Sequence, residues 1–351
     1  MPEPMRRPRE RQAHIGDPAS VAKKIHVPTY DEILEKIKSR YPRGSRSQSM
    51  LDKELARLQT VYNILISKTN FIKDLVRLLD SLHPFFWDLI KIEFDADEIR
   101  SAIKCVSRSR KLSSQFWEKY RFILLGAESP RELKRVSAEA RGRMLSTIKR
   151  CRKSLETLRS LVVFLSKLPA IDPSMETIII AGAPSTGKST FISTASRARP
   201  RISPYPFTTR NIHVGHTSVS GKKIQLIDTP GLLDRPTEQM NYIERKAVSA
   251  LKNIPGVILL MIDVSPNPTI DVQNQIKLLY ILSNIINKNV YIMLNKIDSA
   301  SEENLLRARE LAREAVENGK AVDIYEGSAL SIDSVRRIIE AIAANEGWTR
   351  E

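Results

Sequence analysis

One short segment constrains the fold of this chain more than any other feature of its sequence. The apolar run Thr177–Ala181 leads directly into Gly182-Ala183-Pro184-Ser185-Thr186-Gly187-Lys188-Ser189. This loop fits the pattern G-x-x-x-x-G-K-[ST], which joins a β-strand to a helix and holds phosphates with backbone N–H groups. The positive end of the following helix adds to that attraction. We therefore expect Lys188 to contact the β- and γ-phosphates of a nucleotide and Ser189 to bind Mg²⁺.

The second half of the chain alternates between strand-length and helix-length patterns. Its short apolar runs are Thr177–Ala181, Ile224–Ile227, Val257–Ile262, Val290–Leu294 and Val322–Tyr325. Helix-length stretches separate them, which is typical of a mostly parallel sheet with crossover helices on both faces. We predict that residues 171–351 form one α/β P-loop domain.

The first half of the chain has a helical pattern instead. Residues 1–28 are rich in Pro and Arg without periodicity, and we expect a flexible basic arm. Apolar residues at steps of three and four then predict helices over about residues 29–40, 47–82, 97–125 and 129–168. The last of these opens with the capping box Ser129–Glu132. Short connections favour an all-α antiparallel helical bundle over residues 29–170.

An aromatic cluster, Phe85-Phe86-Trp87, follows the helix break at His83-Pro84. Aromatic side chains at such a position can stack on RNA bases. They can also close the apolar core at one end of the bundle, and we favour this second interpretation.

The positive charge of the chain is concentrated in its helical half. The whole chain has 56 Lys and Arg against 40 Asp and Glu, a net charge of +16. Residues 1–170 contain 35 basic and 20 acidic residues, whereas residues 171–351 contain 21 and 20. Such an uneven distribution suggests a polyanionic partner for the helical half. A solvated basic surface without a partner is the alternative.

Several other classes of protein are disfavoured. The basic N-terminus is not followed by an apolar stretch, unlike a secretory signal. The longest clear apolar run, Val257–Ile262, is far shorter than the roughly 18 residues of a membrane span. Cys105 and Cys151 lack metal-ligand spacing, and we expect reduced thiols rather than a disulfide or a zinc site. Together these features predict a cytoplasmic location.

Two short runs resemble the elements that sense the terminal phosphate of a nucleotide. Asp228-Thr229-Pro230-Gly231 follows a predicted strand, where the Asp228 carboxylate can hold Mg²⁺ and the Gly231 amide can contact the γ-phosphate. Phe207-Thr208-Thr209 lies between this run and the phosphate loop. A threonine there can complete the Mg²⁺ shell only when the γ-phosphate is present, which makes the segment a switch.

Two further motifs favour guanine as the base. The Asp298 carboxylate of Asn295-Lys296-Ile297-Asp298 can accept hydrogen bonds from guanine N1–H and its exocyclic amine, a donor pair that adenine lacks. Asn295 is expected at the base edge, and the Lys296 stem over one face of the ring. Gly327-Ser328-Ala329 follows the last strand, and its backbone N–H groups can donate to guanine O6.

At these motifs the chain resembles the Obg family of GTPases, and within it the Nog branch. The runs Tyr205–Thr209 and Asp228–Gly231 carry the family resemblance. Leu165–Pro173, His83–Leu89 and Val214–His216 carry the resemblance to the branch, which extends from about residue 25 to residue 345. The sequence is similar to a short, archaeal-type form without the long basic C-terminal extension of other members.

This resemblance implies a GTPase with Mg²⁺ bound by Ser189, Thr209 and Asp228, and with Lys188, Thr209 and Gly231 as catalytic residues. The residues expected to contact GTP or GDP lie in the motifs already described. They are Gly182, Ala183, Pro184, Ser185, Thr186, Gly187, Lys188, Ser189, Phe207, Thr208, Thr209, Asp228, Thr229, Pro230, Gly231, Asn295, Lys296, Ile297, Asp298, Ser328 and Ala329.

The resemblance also implies a molecular switch in large ribosomal subunit assembly, with rRNA and the precursor subunit as partners and neither DNA nor a membrane. A regulator of translation on mature ribosomes is one alternative. A G domain with a helical protein-interaction scaffold is another. Leu232 occupies the position at which Ras-like GTPases carry a water-orienting glutamine, and we therefore expect slow intrinsic hydrolysis.

Overall fold

The chain folds into two compact units. A computed structural model describes residues 17–43, 48–196, 200–206, 211–228 and 242–349. The first unit contains Met1–Leu82 and Phe94–Ser166, and the second contains His83–Glu93 and Lys167–Glu351. The grouping differs from the expected division at residue 170, because His83–Glu93 is part of the second unit.

The described secondary structure of the first unit is helical. Among the described residues, eight helices precede the first strand, and all of them except α5 lie in this unit. They are α1 (Pro18–Ala22), α2 (Tyr30–Arg40), α3 (Met50–Lys68), α4 (Phe71–Ser81), α5 (Pro84–Glu93), α6 (Ala96–Leu125), α7 (Pro130–Arg150) and α8 (Arg152–Leu165). The long helices α3, α6, α7 and α8 pack on one another, and the Ser129 hydroxyl caps α7 by accepting from the Glu132 N–H at 3.2 Å.

Two of the expected long helices are each divided into two. The helix expected over residues 47–82 breaks at Thr69, where the buried hydroxyl donates to the Leu65 carbonyl at 2.7 Å. Arg110 donates to the neighbouring Ile66 carbonyl at 2.6 Å. These side chains provide donors for carbonyls at the end of α3. The helix expected over residues 129–168 also divides, at Cys151.

The α6–α7 hairpin corrects the expectation for the cysteines. Cys105 and Cys151 form a disulfide with Cα atoms 5.8 Å apart, so the prediction of reduced thiols is wrong. Antiparallel pairing about residue 128 places both cysteines at the same height, since each is equally distant from that turn in sequence. Ser109 and Thr147 follow the same register, with their buried hydroxyl oxygens 2.8 Å apart.

A buried carboxylate joins α3 to α7 inside the first unit. Glu54 is 1% exposed and contacts Arg57 at 2.6 Å and Arg141 at 3.0 Å. Burial raises the pKa of Glu54, but hydrogen bonds from Ser137, Arg141 and Arg57 together hold it below its ordinary value. A charge can remain inside a bundle only when it is paired in this way.

The second unit contains a seven-stranded sheet with the order β2-β3-β4-β1-β5-β6-β7. Its strands are β1 (Thr177–Ala181), β2 (Arg201–Pro204), β3 (Asn211–Val219), β4 (Lys222–Asp228), β5 (Gly256–Asp263), β6 (Val290–Asn295) and β7 (Asp323–Gly327). The five strands from β4 to β7 are parallel, and β2 and β3 pair antiparallel at one edge. This confirms the mostly parallel P-loop architecture. The helices of this sheet are α9 (Lys188–Ala195), α10 (Tyr242–Ala250), α11 (Val272–Ile286), α12 (Glu302–Glu317) and α13 (Ile332–Asn345).

The aromatic cluster lies in the second unit and not at the end of the bundle. Phe85 and Phe86 are 0% and 1% exposed on α5, which packs against α10 and the short 3₁₀ helix Leu251–Asn253. The Asn253 side-chain amide donates to the Asp88 carboxylate at 2.6 Å and fixes this contact. The two phenylalanine rings are therefore unavailable for stacking on RNA, and the expectation of a bundle-end position is also wrong.

None of the described helices is both long and apolar enough to cross a bilayer.

Reduction of the disulfide should destabilise the helical unit. A cross-link with a sequence separation of 46 restricts the unfolded chain by about 4 kcal/mol in the chain-entropy account. We expect a reductant to lower the melting temperature of this unit by roughly 10 °C. The double variant Cys105→Ala/Cys151→Ala should melt at the same temperature with and without reductant. Alkylation of both cysteines in denatured, unreduced protein would contradict the bond.

Candidate nucleotide-binding site

The phosphate loop has the backbone conformation that its glycines allow. Gly182 and Gly187 have φ values of 143° and 98°, and Ser185 lies in the left-handed region at 64°. A Cβ on Gly182 would lie 2.5 Å from the Met261 carbonyl oxygen, so only glycine fits. Positive φ values at these positions turn the N–H groups of the loop toward one concavity, which is suited to an anion. The loop enters α9 directly, with Gly187 as its N-cap.

Lys188 lies inside this loop. Its side chain is 5% exposed, and its ammonium donates to the carbonyls of Gly182 and Ala183 at 2.8 Å each. The Thr186 hydroxyl also donates to Ala183, at 2.9 Å, and holds the loop closed. The only flexible cation of the motif is thus placed at the loop itself, as a contact with nucleotide phosphates requires.

The two described Mg²⁺-ligand candidates come together. The Ser189 hydroxyl donates to Asp228 Oδ2 at 2.5 Å, and Asp228 is completely buried at the end of β4. The hydroxyl lies at the start of α9 and the carboxylate at the end of β4. Together they offer the oxygen donors that Mg²⁺ prefers, so the residues fit the ion. Ser189 and Asp228 would hold it, with Thr209 as the third expected ligand.

Sequence reasoning missed His213 in this cluster. Its Nδ1 lies 3.4 Å from Asp228 Oδ2, and the antiparallel register of β3 and β4 pairs the two residues directly. The alternating pattern of β3 could have revealed the contact only if the hairpin between β3 and β4 had been predicted.

Asn295 makes two buried contacts that the sequence analysis did not predict. Its amide is 1% exposed; Nδ2 donates to the Thr186 carbonyl at 2.6 Å and Oδ1 accepts from the Ala329 N–H at 2.8 Å. Asn295 therefore joins the phosphate loop to the loop after β7. The Ala329 N–H, expected to donate to guanine O6, donates to Asn295 instead.

Lys296 is held by an acid that the sequence analysis did not identify. Its Nζ lies 2.6 Å from Asp263 Oδ2, and Asp263 is 3% exposed at the end of β5. Burial raises the pKa of Asp263, but hydrogen bonds from Lys296 and Ser265 lower it below its ordinary value. The ion pair fixes the Lys296 stem, which is the part expected to cover a base.

Asp298 lies at a cavity next to the phosphate loop. The residue is exposed on the 3₁₀ helix Ile297–Ser299, and the cavity has a volume of about 250 Å³. It is lined by residues from the phosphate loop and both expected base motifs, including Ser185, Gly187, Asn295, Lys296, Asp298, Ser328 and Ala329. The described structure thus brings the base motifs to one site. Ile297 points partly outward, with 38% of its surface exposed.

Six of the expected site residues lie outside the described residues: Phe207, Thr208, Thr209, Thr229, Pro230 and Gly231. Leu232 does also. The elements next to them are described. Tyr205 is buried and its hydroxyl donates to the Ala247 carbonyl at 2.8 Å, while β3 begins at Asn211 and β4 ends at Asp228.

Comparison with known families gives two adjoining matches. A family model for the NOG1 N-terminal helical domain matches residues 23–172. A family model for a 50S ribosome-binding GTPase matches residues 177–296. Between them the two models cover both the helical region and the nucleotide site.

Several relatives bear the name nucleolar GTP-binding protein 1. The relative from Encephalitozoon cuniculi is 37% identical over 220 residues, which is 63% of this chain and 42% of the relative. The relative from Caenorhabditis elegans is 34% identical over 258 residues, which is 73% of this chain and 38% of the relative. The chain spans half or less of the length of the curated relatives it matches.

A crystal structure from Plasmodium falciparum, assigned as the same protein, is 36% identical. Its superposition has a TM-score of 0.45 and covers 52% of this chain and 92% of that chain.

The shared name of the relatives refers to the nucleolus, which contradicts the cytoplasmic location expected from the sequence. That expectation rested on features that argue against secretion and membrane insertion, and such features do not distinguish the cytoplasm from the nucleus.

Asp298→Asn should change the preferred base. The variant loses a charged acceptor for two guanine donors, so we expect GTP affinity to fall by at least about 100-fold. Xanthosine triphosphate should bind the variant better than GTP, because its 2-oxo group accepts from the new amide. Calorimetry with both nucleotides measures this, and Glu303→Gln, an exposed acid outside the cavity, is the matched control. Unchanged GTP affinity in Asp298→Asn would remove this residue from the base site.

Proposed function

Because the chain belongs to the nucleolar GTP-binding protein 1 family of GTPases, we propose that it acts as a GTP-controlled switch in large ribosomal subunit assembly and docks on rRNA through its helical unit. GTP binding and hydrolysis follow from the family and from its GTPase domain. The relatives' name suggests a role in ribosome biogenesis.

The observation that carries the docking proposal is that nearly all of the net positive charge lies in the helical half of the chain. Residues 1–170 have 35 basic against 20 acidic residues, whereas the half with the nucleotide site is nearly balanced. Part of this charge is on α7 and α8, where Lys134, Lys149 and Lys153 are exposed. Within the described residues, no carboxylate is paired with any of the three. Unpaired surface cations of this kind neutralise phosphates in RNA-binding proteins.

The switch proposal rests on how the phosphate-sensing segments are attached. The run with Thr209 leads into β3 and the run with Gly231 follows β4, and these two strands pair with each other. GTP would order both runs through its γ-phosphate. Bound Mg²⁺, held by Ser189, Asp228 and Thr209, would supply positive charge to the β- and γ-phosphates. Lys188 would contact the same phosphates from the loop.

RNA binding by the full chain should depend on the exposed lysines of the helical unit. The triple variant Lys134→Gln/Lys149→Gln/Lys153→Gln should weaken binding to large-subunit rRNA and reduce the slope of log K against log salt by about 2, because three phosphate contacts are lost. Filter binding at several salt concentrations measures this slope.

The second unit offers a matched control for that experiment. Lys252, Lys277 and Lys320 are exposed there, and their triple Gln variant removes the same charge. Its RNA affinity and salt slope should equal those of the natural protein. Equal effects of the two triple variants would contradict docking through the helical unit.

Co-sedimentation with polysomes and not with precursor large subunits would favour a regulator of mature ribosomes instead.

Intrinsic GTP hydrolysis should be slow, because Leu232 cannot orient a water molecule. We expect a single-turnover rate on the order of 10⁻⁴–10⁻³ s⁻¹, as for a GTPase without its activating partner. Leu232→Ala should leave this basal rate nearly unchanged, since the leucine donates no hydrogen bond, whereas Lys188→Ala should impair nucleotide binding. Precursor large subunits should accelerate phosphate release. Fast hydrolysis by the pure protein would show that another residue positions the water.

A further inference from the structure

One exposed face of α6 carries a line of cations that ends at an aromatic ring. At 100° per residue, Lys104, Arg108, Lys111, Lys119 and Phe122 lie within an arc of about 80° on this helix. Lys104 and Phe122 point in the same direction, because five full turns separate them. We call these five residues the α6 stripe, which is about 27 Å long at 1.5 Å per residue.

The cations of the stripe are available to an outside partner. Lys104, Arg108, Lys111 and Lys119 are all exposed. No carboxylate of the described residues is paired with any of them, in contrast to Arg100 on the same helix, which contacts Asp97 at 3.1 Å. The buried face of α6 is different in character, with Val106 and Leu124 completely enclosed.

Phe122 is unusually exposed for an aromatic side chain. It is 65% exposed, and its neighbours Ile123 and Leu125 on the last turn of α6 are 39% and 56% exposed. Scattered single apolar residues need no explanation, but three on one helical turn form a patch. The Arg121 guanidinium lies 5.4 Å from the Phe122 ring centroid. This places a further cation beside the ring.

The chemistry of the stripe favours one class of occupant. The cores of protein–protein interfaces are depleted in lysine, so the three unpaired lysines of the stripe disfavour a protein partner or a second copy of this chain. Proteins that bind single-stranded nucleic acid combine cations along the backbone with aromatic rings that stack on bases. The α6 stripe has both parts, in sequence along one face.

We propose that the α6 stripe binds a single-stranded segment of RNA, with Lys104, Arg108 and Lys111 on its phosphates and the Phe122 ring stacked on an unpaired base. Arg121 contacts the phosphate next to that base. This inference rests on the proposed docking of the helical unit on RNA, and it assigns a particular helix and nucleotide conformation to that docking. Stacking tolerates any base, so selection is for an unpaired nucleotide and not for its identity.

The test compares two RNA probes with the full chain. The first is a 12-nucleotide oligoadenylate with one 2-aminopurine, and the second is a 12-base-pair RNA duplex. Phe122→Ala should weaken binding of the single strand on the order of 10- to 100-fold and abolish quenching of 2-aminopurine. Binding of the duplex and the salt slope for both probes should not change, because the cations are intact.

Two further variants separate stacking from general effects. Phe122→Leu keeps an apolar side chain without an aromatic ring and should lose affinity for the single strand as Phe122→Ala does. Val163→Ala truncates an exposed apolar residue on α8, 47% exposed, and should bind both probes like the natural protein. All three variants should melt close to the natural temperature, since Phe122 and Val163 are both exposed side chains.

The outcomes distinguish this inference from the proposed function. If the natural protein binds RNA and the Phe122 variants bind the single strand equally well, the stacking site is wrong and docking on RNA stands. Equal loss on single strand and duplex would also overturn stacking. If the natural protein binds neither probe nor large-subunit rRNA, the docking proposal itself fails.

Discussion

The buried amide of Asn295 is the contact on which the nucleotide site most depends. It ends β6 and joins the phosphate loop to the loop after β7, through the Thr186 carbonyl and the Ala329 N–H. One side chain thereby holds the phosphate loop against the loop that is expected to contact the base. A Cβ on Gly187 would lie 2.5 Å from Asn295 Nδ2, so the second glycine of the loop is required by this amide as well as by its own φ. The Thr194 hydroxyl adds a bond to the Ala329 carbonyl from α9.

The phosphate end of the site is organised by a different principle. The base end depends on parallel strands whose carboxyl ends meet at one edge of the sheet. At the phosphate end, the antiparallel pair β3 and β4 carries His213 and Asp228 at one register position. Asp228 also contacts Ser189 at the start of α9. A displacement of either strand would therefore move Asp228 relative to Ser189 at the end of the phosphate loop. This is the coupling that a GTP-dependent switch needs.

Much of the second unit could be predicted because its signals are local. The five predicted apolar runs correspond to five parallel strands, and the motifs at the ends of β1, β6 and β7 line one cavity. The antiparallel edge strands were missed, since neither has a continuous apolar run. The roles of Asn295 and Asp263 were missed because they depend on contacts across 109 and 33 residues of sequence.

In the helical unit the break at Thr69 and the disulfide depend likewise on tertiary partners. The symmetry of Cys105 and Cys151 about the predicted turn was a usable signal that composition-based reasoning overlooked.

The polar contacts inside the bundle have a consequence for how its surface can change. A seam of aliphatic side chains alone would tolerate a slide of α7 along α6 by one turn, about 5.4 Å. Here the disulfide between Cys105 and Cys151 opposes such a slide. The slide would also separate Ser109 from Thr147 and remove Arg141 from the buried Glu54 carboxylate, which would keep only Arg57 as its ion-pair partner. The internal register is therefore independent of what the solvent face carries. Homologous chains can exchange residues along the outside of α6 one at a time, and so alter which ligands they recognise, while the backbone that presents those residues stays the same.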